Sequence, residues 1–379
     1  MKERIYKVIF LFLTILLLSG FYYINNNNYL KIKEIQQVMV NHPEFLPKKD
    51  IAKYTSFGFS NLRADIYWLE TIQYIGGNAV SSEYKKYLYS MIDLITELNP
   101  YFEKPYLIGQ LLLPTYNDRY ENLSKEDQKN NIIQGEKIGL KGISNFCDET
   151  KINLIKKEDD LQKIWNDTIY KNPCKTASLP FGQGFLYYFY LKDPKSAANF
   201  YKIASANDDG LEGAKIMAAV MNGKAGDREK SIMMFLTLAS SINDETGSCK
   251  VFSEELQKVS YLTFREQKPL TGEIIKNIDI LSKKIFPFDS KNEENILKDN
   301  CSNYINKAIR ELNLAYIEEG NKKYLKDKKI NAKNAKVLFD DGYISYLPTD
   351  FQQYDDYGII YIFNNETGNF DYEMGKYEK

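Results

Sequence analysis

Residues Ile5–Ile24 form an apolar run that has to leave water, and this constrains the chain more than any other stretch. About 20 residues make roughly 30 Å of helix, enough to cross the hydrocarbon core of a bilayer. The flank before the run carries Lys2, Arg4 and Lys7 against Glu3. Positive charge favours the cytoplasmic side, so the expected topology is N-terminus inside and body outside. A cleavable export signal is the alternative. Ser19-Gly20, however, is followed by bulky Phe21, Tyr22 and Tyr23, which fit a membrane–water interface better than a cleavage site. No cysteine follows the run directly, which argues against a lipid-modified N-terminus. Residues 1–28 are read as a cytoplasmic flank and transmembrane signal anchor, and the rest as the extracytoplasmic body of a single-pass membrane protein.

A body of about 350 residues is long enough for a large core or for two to three smaller units. Its charges balance, with 50 Lys plus Arg against 51 Asp plus Glu in the whole chain, so no nucleic-acid partner is expected. Thirty tyrosines accompany many Asn, Lys and Ile, the composition of an AT-rich coding sequence. A tyrosine-rich contact surface is the functional alternative. Four cysteines, Cys147, Cys174, Cys249 and Cys301, lie in the exported part without a C-x-x-C pair, and His42 is the single histidine. No metal or other cofactor is expected from that set. An even number of cysteines in an oxidising compartment suggests two disulfides. Three connectivities are open, the simplest being Cys147–Cys174 with Cys249–Cys301, and four free thiols are the alternative. Three N-x-S/T sequons stand at Asn122, Asn166 and Asn365.

Helical periodicity runs from about Ile32 to Asp327. Leu62, Ile66, Leu69, Ile72 and Gln73 fall on or near one face of a helix that Gly76-Gly77 should stop. A second helix is expected from Ser82 to Leu98, ended by Asn99-Pro100, and a third from Phe102 to Leu113. Further on, Lys195–Ser205 aligns with Lys230–Ser240 at an offset of 230 − 195 = 35 residues, through Lys195/Lys230, Ser196/Ser231, Phe200/Phe235, Ala204/Ala239 and Ser205/Ser240. That offset is next to the 34-residue period of tetratricopeptide units. The alanine-rich stretch Gly210–Asn222 supplies a helix between the two copies. Gly182-Gln-Gly184 lacks the preceding strand of a phosphate loop, so Gly184–Leu191 is read as a helix whose aromatics belong to the core. After a helix over Asn303–Glu319 and a lysine-rich linker, the period shifts to two. Gly342–Pro348 reads as a strand, and Tyr357–Phe363 with Asn369–Glu373 as a hairpin turned at Gly368. The acidic residues Asp350, Asp355 and Asp356 lack the spacing of an EF-hand and read as a solvated turn.

Three stretches together carry a family resemblance. They are Leu62–Gly76 with its Asp65-x-x-Trp68 helix, Ile95–Phe102 with its Leu98-Asn-Pro turn, and Gly184–Ala198 with its Asp193-x-x-x-Ala197-Ala198 pattern. The chain resembles the bacterial membrane-anchored, tetratricopeptide-like envelope proteins over residues 56–262. The resemblance implies a solenoid of helical hairpins and supplies no ligand. The tail from Leu347 to Gly368 is similar to a terminal hairpin carried by some such proteins and some pseudopilins.

The expected fold is mainly α: a transmembrane helix (1–28), a tetratricopeptide-like α-solenoid (29–327) and a small β-hairpin element (328–379). The expected function is a membrane-tethered scaffold that binds envelope proteins or peptide segments, with a pilus or secretion accessory role as a special case. Trp68, Tyr74, Tyr188 and Tyr201 are the candidate partner-binding residues. A small-molecule or peptidoglycan-fragment binder using the aromatic segments 181–190 and 354–363 is the alternative. An anchored hydrolase would need a carboxylate pair such as Asp65 with Glu70, or Glu97. These read as helix-surface charges, so no catalytic residue is assigned.

Overall fold

The computed structural model describes residues 10, 12–27, 46–78, 84–116, 121, 123–242, 247–286, 301–354 and 357–376. Over the described residues the chain is mainly helical, with one two-stranded antiparallel sheet after the last helix. It divides into two compact units, one ending at Ile138 and one starting at Gly139. Residues 12–27 form helix α1, with apolar side chains such as Phe12, Leu16 and Phe21 exposed. Among the described residues no helix is long and apolar enough to cross a membrane. Residues 5–9 and 11 of the apolar run, and His42, lie outside the described residues.

The first unit continues with α2 (Lys49–Tyr54), α3 (Ser60–Gly77), α4 (Lys85–Leu98), α5 (Glu103–Leu112) and the start of α6 (Lys125–Phe146). Asn99 and Pro100 separate α4 from α5, as a proline that cannot continue a helix requires. Ala52, Ala64, Tyr67, Leu94, Ile95 and Leu98 form its core, with Trp68 and Phe102 packed against it. The face of α3 that packs inward carries Ala64, Tyr67, Thr71 and Tyr74. Leu62, Ile66, Leu69 and Ile72 are correctly grouped by periodicity but stay 47–61% exposed. At Gly109 a Cβ would meet Ile92 Cδ1 at 2.8 Å and Ile138 Cγ2 at 2.9 Å, so glycine permits the close approach of three helices. A buried ion pair, Lys85 Nζ to Glu121 Oε2 at 2.7 Å, ties α4 to the stretch before α6, and Lys85 also donates to Thr115 O.

The second unit contains the rest of α6 and α7 (Glu149–Lys157), α8 (Leu161–Asn166), α9 (Ser178–Phe189) and α10 (Pro194–Ser205). It continues through α11 (Glu212–Lys224), α12 (Arg228–Ser241), α13 (Ser248–Phe264), α14 (Gly272–Ile285), α15 (Cys301–Lys328) and α16 (Ala335–Asp340) to β1 (Tyr357–Asn364) and β2 (Asn369–Lys376). The stretch 120–180, irregular by its sequence pattern, is thus largely helical from Lys125 onward, with Asp148 and Asp160 capping α7 and α8. Both expected disulfides are present, Cys147 with Cys174 and Cys249 with Cys301. The lysine-rich linker is part of α15, which runs unbroken to Lys328 and is buried along most of its length. Its neighbours are α12, α13, α14, α16 and β2.

Helices α9 to α12 form two consecutive hairpins, each helix packed on the next. Both connectors use one device. A residue in the left-handed region, Lys192 at φ 55° or Gly226 at φ 83°, precedes an aspartate that caps the second helix. Asp193 accepts from Ser196 N–H at 3.0 Å and Asp227 from Lys230 N–H at 3.3 Å. The spacing is 227 − 193 = 34 residues. The burial patterns also superpose at 34: Ala197, Ala198, Tyr201 and Ala204 on α10 answer to Ser231, Ile232, Phe235 and Leu238 on α12, all buried. Sequence identity aligns the copies at 35, one residue out of step with the packing.

Gly342–Pro348 is not a strand. Gly342 takes φ 78° after α16, and Tyr343 and Ile344 N–H both return to Leu338 O, so the segment closes a helix end. The hairpin is present in the expected place, with Asn364 paired to Asn369 and Gly368 at φ 72°.

A candidate interaction cleft beside the hairpin

Strand β2 is fastened to the helices by buried charge. Arg228, at the start of α12, donates to Glu311 Oε2 at 2.8 Å, Glu318 Oε1 at 2.6 Å and Gly223 O at 2.7 Å, and reaches Phe370 O on β2. Lys224, at the end of α11, binds Asp371 at 2.7 Å. Arg310 on α15 grips Asp350 bidentately, Nε to Oδ2 at 2.7 Å and Nη2 to Oδ1 at 2.8 Å, while its guanidinium lies 4.2 Å from the Tyr372 ring centroid. Tyr361 OH on β1 donates to Asp350 Oδ2 at 3.2 Å and accepts from Asn313 Nδ2 at 3.2 Å.

Burial alone would lower both guanidiniums. The carboxylates outweigh it, so Arg228 beside Glu311 and Glu318, and Arg310 beside Asp350, are held above their ordinary values. Burial pushes the Glu311 carboxyl up, partly offset by Arg228 and Arg310. Burial, with Asp350 next to it, pushes the Tyr361 phenol well up, so it stays a neutral donor.

With β2 held inward, the outer edge of β1 faces away from it. Ile359 N–H donates to Gln352 O at 3.2 Å and Phe363 N–H to Lys333 O at 3.0 Å, both away from β2. The alternation of an antiparallel pair puts Tyr361 N–H on the same outer edge. Short bridges flank it, Gln353 with Gly358 and Asn334 with Ile362. The Asn334–Ile362 bridge brings Ala335 alongside Tyr361 on that edge, and among the described residues no backbone carbonyl accepts from the Tyr361 N–H there. Beside it opens a cavity of about 280 Å³ walled by Leu347, Pro348, Ile359 and Tyr361, with Lys336 and Lys376 at its border. The cavity accepts one apolar side chain, the Tyr361 N–H can donate one backbone hydrogen bond, and Lys376 favours an anionic neighbour, Lys336 being paired with Asp340 at 2.7 Å. This is the chemistry of extended-peptide recognition.

The four candidate partner-binding residues are divided between the two units. Trp68 and Tyr74 belong to the first unit, Tyr188 and Tyr201 to the second. Trp68 is half-buried and packs edge-on against Phe102 at 5.8 Å, and Tyr74 is buried. Tyr201 is 1% exposed, with its ring against Gly184 and edge-on to Phe181. Burial pushes its phenol up. Tyr188 is half-buried and edge-on to Phe189 at 4.7 Å. Of the carboxylates, Asp65 is exposed, Glu97 is half-buried on α4, and Glu70 is half-buried, which raises its pKa. Asp350 belongs to the Arg310 pair rather than to a solvated turn, and Asp355 and Asp356 lie outside the described residues. Within segment 354–363, Ile359, Ile360 and Tyr361 line the cleft. Sequence reasoning missed its other wall, because Leu347 and Pro348 read there as the end of a strand. No protein-family model, curated protein or solved structure matches the chain.

Proposed function

We propose that this chain is a membrane-tethered extracytoplasmic scaffold that binds an extended peptide segment of an envelope protein at the outer edge of β1. The observation that carries this reading is the Tyr361 N–H without a backbone acceptor beside an apolar cavity, on a hairpin locked in place by Arg228 and Arg310. A preformed site of this kind avoids the ordering entropy that a mobile strand would lose on binding. The two like-built hairpins α9–α10 and α11–α12, spaced by 34 residues, support a tetratricopeptide-like architecture behind it. The tether rests on the apolar run Ile5–Ile24 and its basic flank.

The test is photocrosslinking in native membranes from a benzoyl-phenylalanine placed at Gln353, beside the cleft, and from one at Lys258 as a control. Adducts from position 353 with a defined set of envelope proteins, absent from position 258, are expected. No adduct from position 353, with the protein folded and in the membrane fraction, would sink the peptide reading. A second reading has its own observation: the same cavity, apolar with Lys376 at its border, also fits a small amphipathic anion. Thermal stabilisation of the full chain by peptidoglycan fragments or fatty acids, removed by Ile359→Trp, would favour it.

A further inference from the structure

The first unit leaves an apolar face uncovered beside the N-terminal helix in sequence. Leu62, Ile66 and Leu69 are 57%, 47% and 61% exposed, and their spacing sets them along one stripe of α3. Phe59 enters the helix on that side and is 68% exposed. Just before it, Phe57 stands at φ 46° and Gly58 at φ 88°, so the backbone enters the left-handed region at a side chain that disfavours it. Phe57 is nevertheless 81% exposed, and Tyr54 83%. The turn is fixed from behind: Arg63 donates to Ala52 O at 2.9 Å and to Thr55 Oγ1 at 2.5 Å. A strained, braced turn that displays a phenylalanine to solvent, followed by about 15 Å of apolar helix face, is more than scattered surface hydrophobicity.

We infer that this face lies on the bilayer, with α3 along the interface and Phe57 and Phe59 immersed among the headgroups. The inference rests on the tether of the proposed function. Residues 28–45, eighteen positions, separate α1 from Leu46. Even fully extended they reach at most about 60 Å, so a helix anchored in the membrane keeps this face within reach of its surface. Aromatic and aliphatic side chains on one face suit an interfacial helix. Charge adds little, since Lys48, Lys49, Lys53 and Arg63 stand against Asp50, Asp65 and Glu70 over residues 46–70, and Lys49 is also paired with Asp93. The attachment is therefore apolar, insensitive to salt and indifferent to anionic lipid.

The experiment is photolabelling of the full chain in phosphatidylcholine vesicles that carry a lipid with a photoactivatable group beside its headgroup, with adducts mapped by mass spectrometry. Adducts over Tyr54–Leu69 as well as in α1 are expected, unchanged between 50 mM and 500 mM salt. Phe57→Ser combined with Leu62→Asn and Leu69→Asn should cut the former at least fivefold and leave the latter intact. Adducts in α1 alone overturn the inference while the tether stands. Adducts over Tyr54–Leu69 without α1 uphold it and sink the tether. If benzoyl-phenylalanine placed at Ile66 in the same vesicles crosslinks to residues 28–45 or to a second copy in place of lipid, that cover is the occupant and the bilayer is not. The map of the unaltered protein decides the matter even if the triple variant fails to fold.

Discussion

Replacing Asp350 with Asn removes one charge at nearly constant volume and tests whether the arginine pairs hold the hairpin in place. Asp350 is 2% exposed and accepts two bonds from Arg310, one from Tyr361 OH and one from Gln352 N–H. After the substitution the Arg310 charge is left with Gln352 Oε1 at 2.6 Å and the Tyr372 and Phe351 rings. An uncompensated buried charge destabilises by about 3–5 kcal/mol. For a unit of this size, roughly 2–4 °C per kcal/mol makes that a shift on the order of 10 °C in the unfolding midpoint. Trp68 and Trp165 are the two tryptophans, one in each unit, so a Trp68→Phe background lets Trp165 fluorescence report the second unit alone. Arg310→Met with Asp350→Leu should recover most of the loss, because neither charge is then stranded. If Asp350→Asn stays within about 1 kcal/mol of the parent, the pair is not the clamp described.

Three further outcomes are expected. Asp193→Ala and Asp227→Ala each remove a cap and should cost about 1 kcal/mol, nearly equally because the connectors are alike, as denaturant midpoints will report. Gly184→Ala places a Cβ 3.1 Å from the Tyr201 ring, and overpacking should cost about 1–3 kcal/mol, with rescue by Tyr201→Phe absent because the clash is with ring carbons. Burial holds the Lys202 ammonium below its ordinary value of 10.5. The folded chain then binds fewer protons than the unfolded one between the depressed value and 10.5. The cost of burying this charge is fully present below that window and is relieved as pH rises through it. Lys202→Met should therefore flatten the rise in stability towards alkaline pH, read from urea midpoints at pH 7 and above. An unchanged slope would show that Lys202 does not titrate in that window.

Local signals reached the elements and stopped at the question of which face packs. The stripe Leu62, Ile66, Leu69 was plain in sequence, but α3 carries a second one, Ala64, Tyr67, Thr71 and Tyr74, and only tertiary packing chooses between them. The repeat was legible from identical residues, yet identity fell at 35 and burial at 34, because Phe200 and Tyr201 are both buried and either can align with Phe235. The hairpin was legible because alternation and Gly368 are short-range features. The cleft was half legible. Its β1 wall sat in the aromatic segment 354–363, whereas its clamps join residues 40 to 142 positions apart, such as Arg310 with Asp350 and Arg228 with Phe370. Nothing local marks such partners. Gly342–Pro348 misled through its alternation, since a left-handed glycine turned it into a helix end.

The fastening of β2 also bears on how the chain is made. Arg228 is translated some 140 residues before the carbonyl of Phe370 that it holds, and Lys224 before Asp371. A nascent or prematurely terminated polypeptide that stops short of Phe370 keeps the Arg228 pairs with Glu311 and Glu318 but loses the Phe370 carbonyl, and leaves Lys224 without Asp371, and so stays open to proteases. Synthesis through residues 370 and 371 thus completes the packing of α11 and α12 long after those helices are made, and a stop codon just before Phe370 should lower abundance markedly.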